Sequence, residues 1–427
     1  MIDFSQIGYC TNVHTGADLE TTRANLAKYA LAVKRQISPD APMGVGLWLS
    51  ANAAQKLLRE RKTEEFAAWL REVGLVPYTF NGFPHGDFHQ AVVKHRVYEP
   101  TWWEPARLDY TLDLITIQHA LLPPSMKGSI STLPIAWGQT TPSNRSAWEG
   151  EAPAEPMLSA RQEPRPPTAT RNPPSHDQLT KAAMQLQQVA ERLHRLELET
   201  GRYICLCLEP EPGCVLQRSG DVVRFFQDYL FRDCDVETVR RYLKVCHDVC
   251  HAVVMFETQV DVFRAYQAAG IGVGKVQISS AVCTPDLDAI SPADRAAALA
   301  QLASFREERY LHQTCVRTGP NNPPTFYEDL PLALATAGHD GGTWHVHFHV
   351  PIYLDRFGHL IASRAAILEC LTAARKYSDV SHFEVETYAW SVLPPELRQP
   401  NLATGIADEL KWYVGVLGLQ PVAQART

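Results

Sequence analysis

The chain has 427 residues, of which 45% are hydrophobic and 20% charged, and its formal net charge at pH 7 is -7. This composition is typical of a globular protein with a sizeable core, and the acidic balance argues against a nucleic-acid partner, which would require a surplus of Lys and Arg. No stretch approaches the roughly 18 uninterrupted apolar residues of a membrane-spanning helix, and the N-terminus lacks the basic and apolar regions of a signal peptide, so we expect a cytoplasmic protein without direct membrane insertion.

Short apolar segments alternate with helix-like segments along nearly the whole chain. Eight of the short segments predict strands, at 7–12, 43–50, 76–80, 128–135, 203–209, 243–248, 274–280 and 382–387. Helical periodicity is clearest at 22–36, 177–199, 362–377 and in the closing amphipathic segment 406–419. Because eight strands alternate with helices, and no Gly-rich dinucleotide motif follows the first strand, the sequence predicts an α/β protein with a (β/α)8 TIM-barrel fold.

A low-complexity segment interrupts the alternation after the fourth strand. Residues 139–176 are rich in Pro, Ala, Ser and charge and poor in aliphatic side chains, which predicts a disordered or extended insertion. Loops tolerate additions of this kind at little cost in free energy, so the segment says little about chemistry. Around it we expect a single TIM-barrel domain that spans residues 1–427.

A second departure lies between the seventh strand and the last barrel helix, at residues 306–361. It contains two further strand-like pieces, YLHQTCVRT and TWHVHFHVPIY. Side chains of a strand alternate between its two faces, so the letters HVHFHV predict that His345, His347 and His349 share one face. Three imidazoles on one face indicate the neighbourhood of an active site.

The carboxyl ends of the strands carry the active site in barrels of this kind, and here they are polar and acidic. Across the strands they carry Asn12, His14, Asn81, His85, Asp87, His89, Glu209, Glu211, Asp248, His251, Gln277, Glu384 and Glu386. Buried carboxylates that converge from different strands repel each other unless they bind a proton or a cation. The oxygen-rich part of this set predicts a site for one divalent metal ion, Mg²⁺, Mn²⁺ or Zn²⁺. Its predicted ligands are Glu209, Asp248, Gln277 and Glu386.

The letters HDVCH at 247–251 have two readings. On a helix, His247 and His251 would share a face and could clamp zinc. On a strand end, Asp248 would point inward as a metal ligand, and His251 would lie in the loop beyond it. The surrounding alternation makes LKVCHD the sixth strand and therefore favours the second reading.

Seven motifs, in order between residues 8 and 388, carry a resemblance to a known family: GYCTNVHTG, PYTFNGFPHGDFH, EPEPGC, DVCH, KVQISSA, HFHVP and EVETY. They are similar to those of the xylose-isomerase-like (sugar-phosphate isomerase/epimerase) superfamily of TIM barrels and, more closely, of bacterial metabolite-traffic proteins of the EboE type. The resemblance implies the same four metal ligands, with His251 contacting substrate oxygen. The superfamily's usual polar residue just after the strand-seven ligand has no clear counterpart in QISSAV, and the His-rich strand is extra.

These residues suit a metal-dependent isomerase or epimerase that acts on a small sugar-like metabolite or a related polyol. The proposed catalytic residues are Glu209 and Glu386, which would take and return a proton next to the sugar carbonyl, and His251, which would hold a substrate oxygen. Candidates for lining the substrate pocket are His14, Asn81, His85, His89, Glu211, His347 and His349. His347 and His349 have two other interpretations, as ligands of a second ion or as half-exposed strand residues.

Two other functions stay open on this sequence. The first is a non-catalytic metabolite-binding or trafficking protein on the same barrel, which the missing polar residue and the extra His-rich strand favour. The second is an endonuclease-IV-like phosphodiesterase with a His-rich multi-zinc site. The acidic balance counts against the second, because DNA binding requires Lys and Arg that neutralise phosphates.

Overall fold

The structure is a computed structural model that describes residues 7–138, 173–337 and 341–419. In chain order its strands are β1 (Ile7–Tyr9), β2 (Met43–Trp48), β3 (Leu75–Asn81), β4 (Gly128–Thr132), β5 (Ile204–Leu208), β6 (Leu243–Asp248), β7 (Val273–Ile278), β8 (Val282–Cys283), β9 (Thr314–Arg317), β10 (Thr325–Tyr327), β11 (Thr343–Val346), β12 (Arg356–Phe357), β13 (Leu360–Ala362) and β14 (Phe383–Val385). Eight of them form one parallel sheet in the order β1-β14-β7-β6-β5-β4-β3-β2, and a parallel bridge between Cys10 and Gly46 joins its two edges. This confirms the predicted (β/α)8 barrel, and each predicted strand overlaps one barrel strand.

Helices connect the barrel strands on the outside. They are α1 (Leu19–Asn25), α2 (Leu31–Ile37), α3 (Ala51–Arg59), α4 (Thr63–Val73), α5 (Pro105–Leu121), α6 (His176–Thr200), α7 (Ser219–Phe225), α8 (Val236–Tyr242), α9 (Val249–Val254), α10 (Gln259–Ala268), α11 (Pro292–Ala303), α12 (Leu330–Thr336), α13 (Arg364–Tyr377) and α14 (Leu402–Leu419). Short π-helical segments join α1 to α2 and follow α7. None of the described helices combines the length and apolarity needed to cross a membrane.

Helix α6 illustrates why these segments form helices. It begins with a capping box, in which the Ser175 hydroxyl accepts a hydrogen bond from the Gln178 backbone and the Gln178 side chain accepts one from the Ser175 backbone. It ends at Gly201, whose φ of 71° suits a residue without a Cβ. The buried face of α6 includes Ala182, Leu186, Val189, Ala190 and Leu193, which recur at helical spacing.

Of the insertion predicted at 139–176, residues 139–172 lie outside the described segments.

The barrel interior is polar at its centre. Lys275 on β7 and Glu384 on β14 form an ion pair at 2.7 Å, and neither side chain is exposed to solvent. The Lys275 ammonium also donates to the Ser131 hydroxyl at 3.4 Å. Because side chains alternate along a strand, Gln277 points inward like Lys275, whereas Val276 packs outward. The alternation therefore places Gln277 one layer above the ion pair, towards the carboxyl ends of the strands.

A second, antiparallel sheet occupies the segment between β7 and α13, in the order β10-β9-β11-β8-β13-β12. Strands β9 and β11 lie within the two strand-like pieces predicted there and pair with each other. This sheet lies beside the carboxyl ends of the barrel strands, since β8 begins four residues after β7 ends.

The predicted grouping of three histidines on one strand face is wrong. Strand β11 ends at Val346, and the Phe348 backbone donates to the Val346 carbonyl at 2.8 Å, a tight turn that interrupts the alternation. The ring of His345 stacks on Phe256 with centroids 3.8 Å apart, and its Nδ1 contacts the Val253 carbonyl at 2.6 Å. The two later histidines of the HVHFHV motif lie beyond the strand and face the barrel.

Candidate functional site

The HDVCH segment divides between a strand and a helix. Strand β6 ends at Asp248, whose Oδ1 accepts a hydrogen bond from the His251 backbone at 2.8 Å and so caps α9. His251 therefore lies in the first turn of α9, and not in a loop as predicted. The ring of His247 points away from the barrel axis, where Nε2 contacts Gln259 Oε1 at 2.6 Å and the ring packs edge-on against Phe263. His247 and His251 therefore do not form the zinc-binding pair that the helical interpretation of HDVCH requires.

Three carboxylates meet at the carboxyl ends of β5, β6 and β14. Oxygens of Glu209, Asp248 and Glu386 all lie within 4.8 Å of one another, and all three side chains are buried. Burial and, to a smaller extent, the neighbouring carboxylates raise the pKa of Glu209 well above its usual value and that of Glu386 to about 8. Although burial acts in the same direction on Asp248, the adjacent His251 and hydrogen bonds to its carboxylate lower its pKa. A cation between the three groups would relieve this repulsion.

Unpaired buried atoms show that the oxygen-rich group fits a cation. Glu209 Oε2, Asp248 Oδ2 and both amide atoms of Gln277 are buried and have no hydrogen-bond partner among the described residues. Gln277 lies directly beside Asp248 in the register of β6 and β7. Buried polar atoms are almost always satisfied, and carboxylate and amide oxygens are the ligands that hard divalent cations prefer. Three of the four predicted ligands, Glu209, Asp248 and Glu386, are thus brought together, and Gln277 is the neighbour of Asp248 in the sheet.

Three imidazoles border the carboxylates, and each is oriented through its Nδ1. His251 Nδ1 lies 2.8 Å from the Pro210 carbonyl oxygen. His347 Nδ1 lies 2.7 Å from Gln313 Oε1, and His349 Nδ1 lies 2.9 Å from the Glu386 carbonyl oxygen. Carbonyl oxygens only accept hydrogen bonds, so each ring donates through Nδ1 and turns Nε2 towards the site.

Two of these Nε2 atoms face each other. His251 Nε2 and His347 Nε2 are 3.2 Å apart, and His349 Nε2 is buried without a partner among the described residues. Glu211 lies with His251 and His347 in a second group whose ligand atoms are within 4.8 Å of one another. The nitrogen-rich group adjoins the oxygen-rich one, and the arrangement can hold a proton or a second cation between the histidines.

The carboxyl-end cavity has a volume of about 70 Å³ and collects most of the predicted site residues. Its lining includes the predicted residues Asn81, Glu209, Glu211, His251, His347, His349 and Glu386. Asp248 and Gln277 are buried beneath them, 2% and 0% exposed. Aromatic rings of Phe83, Phe88, Tyr98, Tyr310 and Tyr388 make up much of the remaining wall.

Three predicted pocket residues do not line this cavity, because their rings are engaged elsewhere. His14 stacks on Tyr29 with centroids 4.7 Å apart and contacts the Tyr9 hydroxyl at 2.8 Å. His85 packs edge-on against Tyr110. His89 Nε2 contacts the Asn12 carbonyl at 2.6 Å, and its ring packs edge-on against Phe88 of the cavity wall.

Sequence reasoning missed several residues that orient the site. The Asn12 amide donates to Glu386 Oε1 at 2.6 Å, and the Ser279 hydroxyl donates to Asp248 Oδ1 at 2.8 Å. Ser279 lies in the motif QISSAV, two residues after Gln277. Gln313 donates to Glu211 at 2.9 Å. It lies in the excursion, the segment 306–361 between β7 and α13, where no local sequence pattern indicates its role. Among these residues, only Asn12 is indicated by the sequence, because it lies just after the first strand.

The loop after β3 and the excursion close over the cavity together. The backbone nitrogens of Val93 and Lys94 both donate to the Arg309 carbonyl, at 2.7 and 3.0 Å. The Lys94 ammonium pairs with Asp329 at 2.7 Å, and the Tyr310 hydroxyl donates to the Phe88 carbonyl at 3.2 Å. These contacts hold a cover that limits the access of water to the carboxylates.

The sequence matches no family model and no curated protein. Solved structures similar over most of the chain include the probable 3-DHS dehydratase AsbF, involved in petrobactin synthesis, from Bacillus anthracis (12% identity, 96% of this chain, 98% of that chain, TM-score 0.44). A xylose isomerase-like TIM barrel protein from Mycobacterium smegmatis in complex with magnesium has 12% identity over 96% of both chains and a TM-score of 0.48. The IOLI protein with a binding zinc atom has 10% identity over 97% of this chain and 98% of that chain, with a TM-score of 0.41. The barrel assignment rests on the strand order described above.

Proposed function

We propose that this chain is a metal-dependent isomerase or epimerase of a small sugar or related polyol, acting in cytoplasmic metabolite synthesis or trafficking. The observation that carries the proposal is the set of buried, unpaired oxygens of Glu209, Asp248 and Gln277 beside the Glu386 carboxylate. We propose that these four residues hold one divalent ion, Mg²⁺, Mn²⁺ or Zn²⁺. The motif resemblance to xylose-isomerase-like and EboE-type proteins supports the same reading.

Two glutamates carry out the proposed acid–base chemistry. A bound divalent ion would polarise a substrate carbonyl and the neighbouring hydroxyl. Glu209 and Glu386 reach the same space from β5 and β14, so one, as a carboxylate, would take a proton from the carbon beside the carbonyl, and the other, as a carboxylic acid, would deliver its own proton to the resulting intermediate. Asn12 donates to one oxygen of Glu386 and holds its carboxylate in a single orientation.

Substrate binding falls to the imidazoles and the aromatic wall. His251 contacts the Pro210 carbonyl through Nδ1 and thereby turns Nε2 towards a substrate hydroxyl. Tyr388 and Tyr310 offer apolar ring surface of the kind that packs against sugar rings. The 70 Å³ cavity is small beside the roughly 300–1,000 Å³ of enclosed ligand sites. We therefore expect the excursion and the loop after β3 to separate when the substrate enters.

Metal analysis is the primary test. Protein purified without chelator is expected to contain about one divalent ion per chain by elemental analysis, as the single oxygen-rich site requires. Glu209→Gln and Asp248→Asn should lose it, whereas Glu64→Gln, an exposed carboxylate at the start of α4, should keep it. Metal-free wild-type protein, or equal metal content in all four proteins, would contradict the metal site.

Solvent proton exchange separates an enzyme from a binding protein. In heavy water, NMR should detect deuterium entering a candidate sugar at the carbon beside the carbonyl, and Glu209→Gln should abolish it. The alternative is a non-catalytic metabolite-binding or trafficking protein, which the closed cover and the histidine-rich excursion favour. Metal without exchange in any of a broad sugar panel would support that alternative and reject the isomerase.

A further inference from the structure

A large cavity lies at the opposite end of the barrel from the candidate metal site. It has a volume of about 790 Å³ and is bounded by the amino-terminal ends of β4, β5, β6, β7 and β14 with their preceding loops. On β5, Cys205 lines this cavity and Glu209 lines the carboxyl-end cavity. Four residues of extended strand separate the two positions by about 13 Å. The volume falls within the range of roughly 300–1,000 Å³ that is typical of small-molecule sites.

Basic side chains outnumber acidic ones around this amino-end cavity. Five basic residues (Lys127, Arg202, Arg240, Arg241, Lys244) and three acidic ones (Glu197, Glu237, Asp379) line it. Arg241 pairs with Glu197 at 2.5 Å, and Arg240 pairs with Glu237 at 3.5 Å. The lining thus has a formal excess of two positive charges, although the whole chain has a net charge of -7.

Outside these two ion pairs, the charged residues of the lining are Lys127, Arg202 and Lys244, which are basic, and Asp379, which is acidic. Neither ammonium forms an ion pair with a carboxylate in the described part of the chain, while the Arg202 guanidinium is engaged by backbone carbonyls at the end of α5. Both ammonium nitrogens lie 5.9 Å from the centroid of the Tyr203 ring. Tyr203 thus borders both lysines, and the Arg241 guanidinium lies 5.1 Å from the same ring centroid.

The positive charge of the lysines affects His382 at the floor of the amino-end cavity. His382 is buried there, and its Nδ1 contacts the Ser129 hydroxyl at 2.7 Å. Burial, together with the positive charges of Lys275, Lys127 and Lys244, lowers the pKa of His382 to about 4. The imidazole is therefore neutral at neutral pH, and the lysines remain the source of positive potential.

We propose that the amino-end cavity binds the phosphate group of a small phosphorylated molecule between Lys127 and Lys244. A phosphate monoester has a charge of nearly −2 at neutral pH, which matches two ammonium groups, whereas a monocarboxylate matches only one. Lysine binds phosphate as a point charge through charge-assisted hydrogen bonds. The remaining volume accommodates the organic part of the ligand. The proposal is independent of the proposed function, since it uses no residue of the metal site.

Calorimetric titration with inorganic phosphate at constant ionic strength tests this site. Wild-type protein is expected to show saturable binding, and Lys127→Ala and Lys244→Ala should each raise the Kd at least about tenfold. Acetate should bind at least about tenfold more weakly than phosphate. The control is Lys181→Ala, which removes an exposed ammonium near the other end of α6 and should leave the Kd unchanged.

A second comparison locates the bound phosphate. Glu209→Gln alters the metal site at the other end of the barrel, so its phosphate affinity should equal that of the wild type. Three results would overturn the proposal: no saturable phosphate binding, equal affinity for acetate, or binding that is lost in Glu209→Gln but retained in the Lys127→Ala/Lys244→Ala double variant. Circular dichroism of each variant checks that the barrel is intact.

Discussion

At the residue scale, hydrogen-bond partners decide which side chains serve the site. His247 and His251 are four residues apart, yet Gln259 engages the first, whereas the Pro210 carbonyl turns the second towards the carboxylates. Asp248 is held in the same way, because the His251 backbone and the Ser279 hydroxyl both donate to Oδ1 and leave Oδ2 free. Groups that orient a metal ligand influence affinity nearly as strongly as the ligand does.

Replacing Ser279 tests this orientation. Ser279→Ala removes one hydrogen bond to Asp248, so the affinity for a divalent metal should fall by about 10-fold or more. Competition with a chelating dye measures the change. Ser280→Ala is the matched control, because this neighbouring buried hydroxyl contacts Ser363 and not the carboxylates. A loss of affinity that is equal in the two variants would contradict an orienting role for Ser279.

At the scale of elements, the closing helix α14 supports the end of β14. Its Glu409 is 1% exposed and accepts hydrogen bonds from the Thr387 hydroxyl at 2.6 Å, the Ile352 backbone at 3.1 Å and the Trp390 indole at 3.2 Å. Thr387 directly follows Glu386, so this helix anchors the strand end that carries a predicted metal ligand. Despite the three donors, burial raises the pKa of Glu409 to about 7.

The Glu409 carboxyl predicts a defined pH dependence of stability. Between pH 4.5 and 7 the folded protein keeps a proton that the unfolded chain releases, so the free energy of unfolding falls as pH rises. One such group contributes a decrease of about 3 kcal/mol. Glu409→Gln should show a correspondingly smaller decrease in urea unfolding between pH 5 and pH 7.5, whereas exposed Glu396→Gln should match the wild type. Identical slopes in the three proteins would exclude this titration.

At the scale of the whole molecule, closure of the barrel concentrates negative charge. Glu209 and Glu386 come from distant parts of the chain and meet only because β5 and β14 belong to one closed sheet. The segment between β7 and α13 then covers them with His347 and His349, which follow β11. A fold that buries three carboxylates together is expected to depend on a cation for part of its stability.

Removal of metal should therefore destabilise the whole barrel. If free metal stands about 100-fold above its Kd, a chelator should lower the free energy of unfolding by about 3 kcal/mol, and added Mn²⁺ or Zn²⁺ should restore it. Thermal unfolding followed by circular dichroism measures the shift. Glu209→Gln provides the control, since its unfolding should respond little to the chelator. An unchanged wild-type transition would show that no structural cation is bound.

The sequence by itself determined the barrel and the chain order of its polar strand ends. Strand and helix periods are local properties of neighbouring residues, which is why the eight strands and the helices α6, α13 and α14 could be predicted. The convergence of Glu209, Asp248, Gln277 and Glu386 followed from the same rhythm, because the carboxyl ends of parallel strands meet at one end of a barrel.

Only the tertiary structure decided which imidazoles reach the site and how they are held. His14 and His85 are turned away by rings distant in sequence, His345 by Phe256, and His251 is aligned by a carbonyl after β5. The partner of each side chain depends on packing between segments far apart along the chain, and no local period encodes that packing.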